Sequence, residues 1–103
     1  MAELQIVAPA GSASAEMTNH LIAVAERQDK SAFSELFAYY APRIKYYLMA
    51  KGSSASSAED LSQEAMVSVW RQANRYDSSK AAASTWIFTV ARNLRIDAFR
   101  KEN

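Results

Sequence analysis

Residues 84–101 read STWIFTVARNLRIDAFRK, and the spacing of their apolar side chains is that of an amphipathic helix. Ile87, Val90, Ala91, Leu94 and Ala98 recur at three- and four-residue intervals, a period of 3.6 and not the alternation of a strand. They form an ordinary core stripe. Phe88, Ile96 and Phe99 lie on the other side, interleaved with Arg92 and Arg95, and Asn93, Asp97 and Arg100 form a polar band between the two. A surface helix rarely carries so much apolar area on its outer face. Either the helix is sandwiched between other helices, or it presents aromatics and arginines to a ligand.

Upstream of this helix lies the connection YDSSKAAAS, Tyr76–Ser84. It is polar, carries Lys80 and Ser79, and is flanked by Tyr76 and Trp86. Rings beside cationic side chains suit unpaired bases, because a base stacks on a ring while its phosphate meets Lys or Arg. The small residues Ala81, Ala82 and Ala83 allow a backbone to approach a ligand closely. A polar linker between two helices has the same composition, so the loop alone is a weak signal. Ser84 or Thr85 is placed to open the last helix.

The preceding segment, AEDLSQEAMVSVW at 58–70, is a third helix reaching about Arg75. Ser56 with Glu59, or Ser57 with Asp60, supplies a capping box at its start. Leu61, Ala65, Val69 and Ala73 share one side and point to the core. The opposite strip holds Asp60, Gln63, Glu64, Val67 and Arg71, acidic at the N-terminal end, where the helix dipole favours carboxylates. Such a strip suits a polar partner and equally well a solvated surface.

Further upstream, Asp29 is placed to cap a second helix with the stripe Phe33, Leu36, Phe37 and Tyr40. Pro42 is expected to break or kink that run, since it lacks an amide proton and restricts Ala41. A further helical stretch over 43–51 carries Ile44, Tyr47 and Leu48 and ends at Gly52. Met17, Leu21, Val24 and Ala25 mark a first helix from Glu16, and residues 1–15, rich in Ala, Ser, Gly and Pro, read as a mobile tail. The fold class is all-α, a compact bundle of about four helices.

With 103 residues and no cysteine, the chain has room for one hydrophobic core and no disulfide framework or thiolate metal site. Its net charge of +1 hides a gradient. Residues 1–60 carry five Lys/Arg against seven Asp/Glu, and residues 61–103 carry seven against four. That asymmetry suits an electropositive end facing a polyanion, or a solvated helix. No run approaches the ~18 apolar residues of a membrane span, and the start is acidic where a secretory signal is basic. The expected location is the cytoplasm, without membrane insertion. His20 has no cysteine or metal-spaced partner. The two glycines, Gly11 and Gly52, form no phosphate-binding loop. No enzyme chemistry and no cofactor are expected.

Together these segments resemble a known family. AEDLSQEAMVSVW is similar to the D-L-x-Q-E-x-F…W motif of region 2.2 of bacterial sigma factors. STWIFTVARNLRIDAFRK is similar to the W-[LI]-x-x-[IV]-A-R-N-x-x-I-D-x-x-R pattern of regions 2.3 and 2.4. DKSAFSELFAYYAPRIKYYL at 29–48 resembles the opening helices of the same domain, and the extracytoplasmic-function group matches best. Met66 stands where the family usually has Phe and should sit on the core side.

The resemblance implies a domain over residues 16–103 that docks on the β′ clamp helices of the RNA polymerase core. Asp60, Leu61, Gln63 and Glu64 match the docking helix, and Val67 and Arg71 continue its strip. It also implies that the domain recognises and melts the −10 promoter element on the non-template strand. The loop, with Tyr76, Ser79, Lys80, Ala81, Ala82, Ala83 and Ser84, matches the segment that captures an unstacked base. Trp86, Arg92, Asn93, Asp97 and Arg100 match the helix lying along −10 DNA, with Arg95 and Lys101 beside them. An anti-sigma factor is an implied partner. The alternative is a helical module that has kept the fold but binds only such a protein. Factors of this group carry a second domain for the −35 element, so the 103 residues are expected to be one half of a two-domain protein.

Overall fold

The computed structural model describes the backbone of residues 2–102 and the side chains of residues 13–101. Four helices, α1 (Ala2–Arg27), α2 (Lys30–Ala50), α3 (Ala55–Gln72) and α4 (Ala83–Glu102), pack with one 3₁₀ turn, Ala73–Arg75. No strand occurs among the described residues, so the all-α expectation holds.

The apolar stripes meet as their spacing requires. Leu21, Leu36, Ile44, Leu48, Ala65, Met66, Val69 and Ile87 are fully buried and form one core drawn from all four helices. Met66 fills the core side of α3, as expected of a flexible thioether standing in for a ring. Ser62 is the buried polar residue of this region, and its hydroxyl donates to the Glu59 carbonyl at 2.8 Å. That bond satisfies the hydroxyl inside its own helix.

In the first three helices, three boundaries differ from the sequence reading. The backbone is helical from Ala2, so the tail expected at 1–15 is an N-terminal extension of α1. Alanines at positions 2, 8, 10, 13 and 15 favour a helix without supplying a periodic stripe. The first buried side chain described on α1 is Met17. The proline expected to break the second helix lies inside it: α2 runs unbroken through Pro42. Pro42 is exposed, at the edge of a groove between α2 and α3. One residue on, the Arg43 guanidinium donates to the Tyr39 carbonyl at 2.7 Å and lies 3.6 Å from the Tyr39 ring centre, which adds a side-chain bond to the turn that Pro42 interrupts. Finally, α3 is capped by Ser54 and not by Ser56 or Ser57. The Ser54 hydroxyl accepts from the Ser57 amide at 3.1 Å, one choice among several adjacent serines that all have capping chemistry.

Other ends form as read. Asp29 caps α2, its carboxylate accepting from the Ala32 amide at 3.0 Å. Gly52, at φ +107°, ends α2. The Gly52 amide donates to the Met49 carbonyl and the Ser53 amide to the Leu48 carbonyl, each at 3.0 Å, the paired bonds of a Schellman terminus.

Candidate polymerase and nucleic-acid interface

On α3, Asp60, Gln63, Glu64, Val67 and Arg71 are all exposed on one side, while Leu61 is half-buried against the core. The strip is therefore presented as its helical spacing requires. It is also braced in a way the α3 spacing does not reveal. Gln63 donates through Nε2 to Glu59 at 2.8 Å, and Glu59 in turn pairs with Lys45 of α2 at 3.1 Å. The Lys45 ammonium, and next the Gln63 amide, hold the Glu59 carboxyl below its ordinary range. Lys45 carried no role in the sequence reading and Glu59 only that of a capping-box partner to Ser56, because a cross-helix pair leaves no local spacing to read. Beside them a groove of about 500 Å³ opens between α2 and α3, lined by Pro42, Tyr46, Met49 and Glu59 among others.

The loop expected at Tyr76–Ser84 is shorter, because α4 begins at Ala83. Ala83 is buried, while Ser79, Lys80, Ala82 and Ser84 are exposed and Tyr76, Ala81 and Trp86 are half-buried. The flanking rings meet: Tyr76 and Trp86 have centres 5.6 Å apart at 59°. The Tyr76 hydroxyl donates to the Ala81 carbonyl at 2.7 Å. Within the loop, Asp77 accepts from the Ser79 amide at 2.9 Å and from its hydroxyl at 2.6 Å. These two bonds, the hydroxyl's first, lower the Asp77 carboxyl from its ordinary value. At the loop's end the Ala83 amide donates to the Thr18 hydroxyl of α1 at 3.4 Å. Ser84 reaches the phenol of Tyr40, which burial pushes up and this hydrogen bond pulls back down.

Of the two readings left open for the last helix, burial between helices accounts for its N-terminal half. Phe88 is sandwiched, with ring centres 5.5 Å from Tyr47 and 6.3 Å from Tyr40. Towards the C-terminus Ile96 is 37% and Phe99 63% exposed, so the outer apolar area survives there. Arg92, Asn93, Asp97, Arg100 and Lys101 are exposed beside it. Arg95 is engaged within the fold: its guanidinium donates to the Lys51 carbonyl at the end of α2, at 3.1 Å. A cation there complements the negative end of the α2 dipole. Glu64 of α3 and Asp97, Arg100 and Lys101 of α4 border one groove of about 370 Å³, so the acidic strip and the end of the basic helix are neighbours.

Residues 36–103, which contain both the strip and the basic helix, match the family model of Sigma-70 region 2. The chain belongs to that family. Among similar proteins, the ECF RNA polymerase sigma factor RpoE of Cereibacter sphaeroides is 49% identical over 80 residues, covering 78% of this chain and 44% of that protein. The RNA polymerase sigma factor CarQ of Myxococcus xanthus is 36% identical over 73 residues, covering 71% of this chain and 41% of CarQ. Rhodobacter sphaeroides SigE, solved in complex with the anti-sigma ChrR, superposes with a TM-score of 0.80 at 45% identity, covering 84% of this chain and 52% of that one. The chain thus spans about half the length of these relatives. Among its described residues no helix is long and apolar enough to cross a membrane.

Proposed function

We propose that this region 2 domain docks on the β′ clamp helices of RNA polymerase through α3 and captures an unstacked base of the −10 element through the loop before α4. The observation that carries the reading is the family match over residues 36–103, which includes an exposed acidic strip and an exposed cationic helix side by side. Asp60, Gln63 and Glu64 are the docking contacts, with Leu61 supporting them from beneath and Val67 and Arg71 extending the strip. Tyr76 to Ser84, with Trp86, form the base-capturing end. Arg92, Asn93, Asp97, Arg100 and Lys101 lie along the strand.

No covalent chemistry is needed. Extruding a base costs a few kcal/mol, of which stacking returns about 1–3 kcal/mol. Phosphate contacts by Arg92, Arg100 and Lys101 add a salt-dependent term. These contributions nearly cancel in the isolated domain, so tight binding requires the polymerase to hold domain and DNA together and raise their effective concentration. An anti-sigma protein is a further partner, in line with the ChrR complex of the SigE relative.

Charge reversal tests the docking half. Asp60→Arg or Glu64→Arg is expected to abolish binding to a β′ clamp-helix fragment with the circular-dichroism spectrum unchanged. Wild-type affinity in both variants contradicts the assignment. Exchange of residues 79–83 for those of a relative tests the other half, with a changed base preference expected. An unchanged preference would place the pocket elsewhere.

A further inference from the structure

Within the loop that carries the proposed base pocket, Asp77 accepts from the amide and hydroxyl of Ser79, bonds that shape the tip without reaching the flanking helices. Asp77, Ser78, Ser79 and Lys80 all face solvent. What closes the loop is Tyr76. Its amide donates to the Ala73 carbonyl at 3.0 Å, ending the 3₁₀ turn. Its ring packs on Trp86 of α4, and its hydroxyl crosses the base of the loop to the Ala81 carbonyl at 2.7 Å. One side chain thus ties both ends of residues 77–80 to the helix that follows.

Above that strut the backbone is folded into a turn. The Asp77 carbonyl accepts from the Lys80 amide at 3.0 Å and the Ala81 amide at 3.3 Å. The Ala81 carbonyl is half-buried with its residue, and the Tyr76 phenol is the donor that satisfies it. Without that donor the carbonyl gains by turning to water, which rotates the peptide joining Ala81 to Ala82 and moves the turn. Binding then has to order a mobile loop, and that cost falls on the captured base rather than on the phosphates.

We propose that Tyr76 is a positioning residue whose hydroxyl sets base discrimination by pre-organising the 77–81 loop, without itself contacting phosphate. This inference rests on the proposed −10 function and adds a residue-specific mechanism to it. Tyr76→Phe keeps the ring against Trp86 and deletes only the strut.

The test uses the full chain and five single-stranded oligonucleotides carrying the −10 sequence of a relative. Four differ at a single base, and the fifth is abasic there. Wild-type chain is expected to prefer one base about tenfold or more over the abasic strand, the scale of one stacked base. Tyr76→Phe is expected to bind all five within about twofold, with an unchanged slope of log affinity against log salt, because no phosphate contact is lost. Its melting curve should stay close to wild type, while amide exchange at Lys80 and Ala81 accelerates. A variant that keeps full discrimination, or whose loop amides exchange as in wild type, overturns the positioning role. A wild-type chain that shows no base preference overturns the −10 reading, and the positioning role falls with it. The exchange measurement separates that failure from a failure of the strut itself.

Discussion

Asp29 accepts the Ala32 amide at the start of α2, and that bond, chiefly, holds its carboxyl below the usual range of about 3.9. Glu59 and Asp77 are lowered likewise by Lys45 and Ser79. A depressed carboxyl binds a proton less readily in the folded than in the unfolded chain. Its contribution is therefore present above the unfolded value and is lost as pH falls through the folded one. Melting temperature is expected to fall as pH drops below about 4, and less steeply in Asp29→Asn combined with Glu59→Gln. Equal slopes in the two proteins would show that these carboxylates are not the cause. Asp29 was legible because an acid stood just before an apolar stripe. Its neighbour Gln28, at φ +52°, was not, since nothing in a glutamine side chain asks for left-handed backbone. Gln28→Gly is expected to raise stability by up to about 1 kcal/mol in denaturant unfolding. At the core, Leu36→Ala should cost about 2–5 kcal/mol in the same measurement, because Leu36 is fully buried.

At the scale of elements, the third and fourth helices were readable because their periodicity records burial directly. Val69 and Ile87 are buried where the 3.6 period puts them. What was not readable depends on neighbours. Pro42 looks like a helix end in isolation, yet α2 continues because its Leu36, Tyr40, Ile44 and Leu48 stripe is buried on both sides of it. Tertiary burial outweighs one proline. Pro42→Ala is accordingly expected to stabilise the domain by about 1–3 kcal/mol in denaturant unfolding, without a change in helix content. Arg95 gives the converse lesson. The sequence grouped it with the DNA-facing arginines, whereas its guanidinium is bonded to the C-terminal carbonyl of α2 at Lys51. Arg95→Ala should cost roughly 1 kcal/mol of stability and leave the salt slope of oligonucleotide binding unchanged. Arg92→Ala should flatten that slope on a single strand by about 0.7, one released counterion. A flattened slope in Arg95→Ala would return Arg95 to the DNA contacts.

For the whole molecule, the charge gradient visible in the sequence becomes a division of surfaces. Glu64 of the acidic strip and the cationic end of α4 at Arg100 and Lys101 meet across one groove. Under the proposed function, the acidic strip would meet the polymerase while the cationic helix meets the promoter strand. The domain alone should bind each partner weakly and both together more tightly. One titration addresses that claim most directly. Labelled single-stranded and duplex −10 oligonucleotides are added to the chain with and without a β′ clamp-helix fragment. The single strand is expected to bind more tightly than the duplex, and the fragment to bind the chain and strengthen capture when tethered to the DNA. A chain that binds the anti-sigma protein but neither oligonucleotide, with or without the fragment, would contradict it.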